Sequence, residues 1–152
     1  MNPNAANEYL KAKVLTATPE QLQLMLYDGA VRFAEKGRQA LVAKNYDQSF
    51  HNITKAEKIL LELNCSLKHD LAPDLCRNLS AIYMFCYRRL VESNTSRSVE
   101  PVEEVLGILR YQRETWAMLM QQMSKQKAGM AAVRLNMPEP SAAMEQSIRI
   151  SA

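Results

Sequence analysis

Apolar side chains recur along the chain at intervals of three and four residues, which predicts helices rather than strands. In the first such run Leu22, Leu26, Ala30, Phe33, Gly37 and Ala40 fall on one stripe at about 100° per residue, the expected core face of an amphipathic helix. Leu24, Tyr27 and Val31 fall outside that stripe, among Asp28, Glu35 and Arg38, while Met25 and Gly29 lie on its opposite shoulder. The start is well marked. Thr18 can cap the amide of Gln21, the Gln21 side chain can reach back, and Pro19 takes the first helical position. This helix is predicted from Pro19 to Lys44, with AKN as its stop.

Three more helices follow. The second, Tyr46 to Leu63, would bury Tyr46, Phe50, Ile53, Ala56, Ile59, Leu60 and Leu63. The third begins near Asp70 or Ala72, with Pro73 in its first turn, and runs to Ser93 on a stripe of Leu75, Leu79, Ile82, Tyr83, Cys86 and Leu90. SNTSRS reads as a loop. The fourth opens at Ser98, Glu100 and Pro101, carries Val102, Val105, Leu106, Leu109, Trp116, Met120 and Met123 inward, and is weakened or ended at Gly129. Short connections between long helices favour antiparallel neighbours, so the expected fold is all-α, an up-and-down four-helix bundle. The organisation expected is an N-terminal segment over 1–18, able to form an extra helix, a bundle over 19–135, and a flexible tail over 136–152, punctuated by Pro and Ser.

Composition narrows the picture without changing it. In 152 residues there are 4 glycines and 6 prolines, too few for a turn-rich β fold, and Ala, Leu, Met, Glu, Gln, Lys and Arg dominate. The net charge of +3, from 19 basic and 16 acidic residues, comes with both signs interspersed, which does not suggest nucleic-acid binding. The chain has no apolar run of the roughly eighteen residues that a spanning helix needs. Its first residues also lack a signal-peptide pattern. A cytoplasmic protein without stable membrane insertion is expected, with Cys65, Cys76 and Cys86 as free thiols.

Catalytic and ligand-binding patterns are missing from the sequence. His51 and His69 are the two histidines and have no metal-ligand spacing around them, and no phosphate-binding glycine loop or nucleophile elbow is present. No cofactor, no metal and no enzymatic activity are expected. Cys76 and Cys86 fall on or near a core stripe, where a thiol is structural. What stands out is surplus apolar surface. Nine methionines are present, four of them at Met118, Met120, Met123 and Met130, and Met84, Phe85, Ile108, Tyr111 and Leu119 lie off their stripes as Leu24, Tyr27 and Val31 do. A second subunit, the N-terminal segment or a peptide could cover them.

The stretch KVLTATPEQLQLMLYDGAVRF after Tyr9, with ITKAEKILLEL from Ile53, resembles the FliS family of flagellin export chaperones, as do NLSAIYMFCYRRL and EEVLGILRYQRETW farther on. The resemblance runs from Tyr9 to Trp116, while Lys68, Ala72 and Pro73 depart from the family's pattern. It implies an antiparallel helical bundle that binds the C-terminal segment of flagellin in the cytoplasm, keeps it from polymerising early and delivers it to the flagellar export apparatus. A monomer or weak dimer would serve this role. Cargo contacts are expected at Leu24, Met25, Tyr27 and Val31, with Ile53, Tyr83 and Tyr87 as further candidates and Gly29 allowing close approach; for each, packing in the core is the alternative. Tyr9, Leu10, Val14 and Leu15 are apolar at helical spacing in a segment too short to be stable alone, and are expected to dock near Met25 and Gly29 as a lid. A self-associating bundle without cargo is the rival reading. Its mark would be one continuous apolar seam rather than patches scattered over three helices.

Overall fold

The computed structural model describes residues 3–136, and residues 137–152 of the tail expected over 136–152 lie outside them. Five helices are present among the described residues: α1 (Pro3–Thr16), α2 (Pro19–Val42), α3 (Tyr46–Cys65), α4 (Pro73–Ser96) and α5 (Val99–Asn136). The expected capping box is formed. The Gln21 amide donates to Thr18 Oγ1 at 3.1 Å, and the Thr18 amide donates to Gln21 Oε1 at 2.9 Å. The described residues divide into two compact units, one up to Ala117 and one from Met118. In the second, residues 118–136 are helical and mostly solvent-exposed.

Residues 19–117 of the first unit form the expected antiparallel bundle, with α2 beside α3, α3 beside α4, and α5 closing against α2 and α4. Side-chain bonds fix the register on each side. Ser80 Oγ donates to Asn64 at 2.7 Å, Asn94 donates to Glu57 at 3.2 Å, Arg89 bridges to Glu104 at 2.7 Å, and the Trp116 indole donates to the Glu20 carbonyl at 2.9 Å. Arg113 pairs with Asp28, and Arg110 with Glu35. Burial lifts the Glu57 carboxyl above its ordinary range, only partly opposed by the Asn94 hydrogen bond.

The core stripe of α2 is turned from the expected one. Tyr27, Ala30, Ala34, Gly37 and Leu41 are buried, whereas Leu22, Leu26, Phe33 and Ala40 are only partly covered. The reason lies in the α2–α3 contact: a β-carbon at Gly37 would collide with Ile53, so small residues face α3 and the Phe33 ring is displaced to the rim. On α3, Ser49 takes the buried place expected for Phe50, and on α4 Cys76 takes that of Leu75; both displaced residues are about 60% exposed. The SNTSRS loop is also corrected. Ser93 is buried and α4 continues to Ser96, ending where Arg97 adopts a left-handed conformation (φ 53°). Gly129 does not end α5, because one glycine costs only about 1 kcal/mol in a run of strong helix formers.

Candidate functional site

The α2–α3 close approach leaves a shallow apolar trough along one side of the bundle, and α1 folds back over it after the short link at Ala17. Between α1 and the trough is a cavity of about 440 Å³, roofed by Leu10, Lys13 and Val14. Its floor is mainly Leu22, Met25, Leu26, Gly29 and Ile59. A second cavity of about 280 Å³ lies alongside, between Lys13, Thr16 and Ala17 on one side and Leu24, Met25 and Asp28 on the other. No residue of α1 is buried. Leu10 is 50% exposed and Val14 40%, although both line the cavity. The segment therefore covers its seat without filling it.

Packing separates the residues expected to contact cargo. Met25 lines the trough, Gly29 lies buried at its floor, and Leu24 lines the neighbouring cavity. Tyr27, Ile53 and Tyr83 are core residues, each at most 2% exposed, so none is reachable in this structure. Tyr27 was expected off the core stripe and is in it. The Tyr27 and Tyr83 hydroxyls meet at 2.5 Å near the Gln23 amide, which joins α2 to α4 across the bundle. Val31 and Tyr87 are partly buried against the core and line neither cavity. Gly29 is approached by a side chain: a β-carbon there would meet Ile59 Cδ1 at 3.2 Å. Of the lid residues, Leu10 and Val14 face the trough, while Tyr9 and Leu15 are 70% and 85% exposed.

Several trough residues escaped the sequence reading. Leu22, Leu26 and Phe33 were assigned to the core, so their part in an external face was hidden; Ile59 was hidden in the same way. Arg32 gave a weak signal, since it shares a helix face with Lys36, four residues on.

The chemistry of the bundle is that of packing. Burial, with a smaller contribution from Glu104, pushes the Cys86 thiol up to about 12, far from a reactive thiolate at neutral pH. Among the described residues no group of His, Cys, Asp and Glu is placed to hold a metal ion, and no helix is long and apolar enough to cross a membrane.

The family model "Flagellar protein FliS" matches residues 1–123. The chain is 33% identical over 132 residues to the flagellar secretion chaperone FliS of Bacillus subtilis, covering 87% of this chain and 96% of that one. It is 28% identical over 120 residues to the chaperone of the same name from Salmonella typhimurium, covering 78% and 89%. A solved structure described as a flagellar chaperone from bacteria superposes with a TM-score of 0.65 at 18% identity, over 78% of this chain and 97% of that one, which supports the fold. With a family match across the whole first unit, the chain belongs to the FliS family of flagellar secretion chaperones.

Proposed function

We propose that the trough beneath α1 receives the C-terminal segment of flagellin, and that the protein holds this segment in the cytoplasm, unpolymerised, until it passes to the flagellar export apparatus. The observation that carries this reading is the unfilled apolar cavity under a helix with no buried residue. A filament subunit's terminal segment is amphipathic and gains its order from packing, so free in solution it exposes the stripes that drive assembly. A helix-binding trough hides one such stripe. Folding the segment onto the trough costs several kcal/mol of chain entropy, which limits affinity and lets the cargo leave without nucleotide hydrolysis.

In this scheme α1 competes with cargo for one seat. A lid held by about 1.4 kcal/mol leaves roughly a tenth of molecules open and weakens apparent binding about tenfold. Calorimetric titration of the purified protein with a peptide of the last flagellin residues, long enough for several helical turns, tests the reading. Wild type should bind one to one. Met25→Asp should bind about tenfold or more weakly, because a carboxylate replaces an apolar floor residue, with the thermal midpoint nearly unchanged. A peptide that does not bind, or that binds Met25→Asp as tightly as wild type, would remove the trough from the account.

A further inference from the structure

Charge along the trough is unevenly distributed. Toward Leu22 stands Glu62, with Asp28, paired with Arg113, midway along α2; at the other end the Phe33 ring carries three cations, with Arg32 Cζ at 5.0 Å, Lys55 Nζ at 5.1 Å and Lys36 Nζ at 5.9 Å from its centroid. All three cations are solvent-exposed, and none takes part in an ion pair among the described residues. The face of one ring attracts cations, yet three like charges around it repel each other, and among the described residues no carboxylate lies within ion-pair distance of them. The present occupant is a poor match for these cations. Lys13 of α1 lines the cavity together with Asp28, and α1 has one carboxylate, Glu8, against two lysines, Lys11 and Lys13, with no acidic residue in its first turn.

Resting on the chaperone reading above, we propose that the segment accommodated in the trough is an amphipathic helix with carboxylates at one end, and that Arg32, Lys36 and Lys55 around Phe33 select and orient it. The acidic end lies over Phe33 and the neutral or basic end toward Glu62. Such a segment interacts with the face more favourably than α1 does, and that difference is what a ligand needs in order to displace a lid. The cluster then acts on specificity as well as on affinity, because a segment docked in reverse would place its carboxylates toward Glu62 and away from the cations.

The test is a cycle on the full-length protein, using the peptide of the last flagellin residues as probe. In the protein, Arg32→Gln, Lys36→Gln and Lys55→Gln are combined; in the peptide, Asp and Glu become Asn and Gln. Either change alone should weaken binding about tenfold at low salt, both together little more than one, and the differences should shrink strongly near 0.5 M salt. A comparison variant combining Lys44→Gln, Lys68→Gln and Arg77→Gln changes net charge equally and should bind as wild type. Equal losses in the two protein variants would reduce the effect to overall charge and overturn the assignment. Unchanged binding by the Arg32, Lys36 and Lys55 variant would overturn it too, while leaving the chaperone reading intact if wild type binds. A peptide that fails to bind wild type would overturn both.

Discussion

The Tyr27 and Tyr83 hydroxyls are buried together, and each depends on the other, since Gln23 reaches them only at 3.5 Å. Tyr27→Phe should therefore cost about 1–2 kcal/mol in urea unfolding, because it leaves a buried hydroxyl poorly satisfied. The double Phe variant should lose less than the sum of the singles; strict additivity would show that the pair is not coupled. Burial first, and then Tyr27, hold the Tyr83 phenol above its ordinary range, and Cys86 is pushed the same way. For an acid whose pKa rises on folding, the stabilisation is complete below the unfolded value and is lost as pH rises past it. Stability should fall from about pH 8.5 upward, with the larger part above pH 10, and Tyr83→Phe should remove most of that part. The glycines give a paired prediction. Gly37→Ala drives a β-carbon into rotamer-stiff Ile53 and should cost about 2 kcal/mol net of the helix gain, whereas Gly29→Ala meets only the end of Ile59 and should change stability little. Periodicity alone could not place Tyr27 inward and Phe33 at the rim. That choice is made by Gly37 against Ile53, a contact between helices that one helix's pattern does not contain.

The helices themselves were largely legible, because caps and breakers act locally. Thr18, Gln21 and Pro19 mark the start of α2 as read. Its end is a Schellman turn, with the Asn45 amide donating to the Ala40 carbonyl and the Lys44 amide to that of Leu41. No glycine announced it. Lys44 adopts φ 58°, so Lys44→Gly should raise stability by about 0.5–1 kcal/mol, read as a shift in denaturant midpoint at constant slope. The end of α4 was misread for a related reason. Polar SNTSRS resembles a loop, but Ser93 is buried, Thr95 and Ser96 bond back to the carbonyls of Val91 and Glu92, and the following Arg97 stacks on Tyr46 at 4.3 Å. For α1, short length and apolar spacing indicated a helix that needs a surface. Which residues face that surface depended on the geometry of the link, and only Leu10 and Val14 of the expected four do so.

For residues 1–117 together, the account reduces to competition between α1 and a cargo helix for one trough, in a bundle whose core is independent of either. Removing Met1 to Leu15 should then tighten binding of the flagellin peptide by up to about tenfold and make the free protein more prone to aggregate through the uncovered face. The competition itself is read most directly by amide hydrogen exchange of the full-length protein with and without saturating peptide. The account predicts faster exchange throughout residues 3–16 when cargo is bound, with slower exchange along the trough-facing turns of α2 and α3. Unchanged or slower exchange in residues 3–16 at saturating cargo would contradict it, and would make α1 part of the binding site instead of its cover.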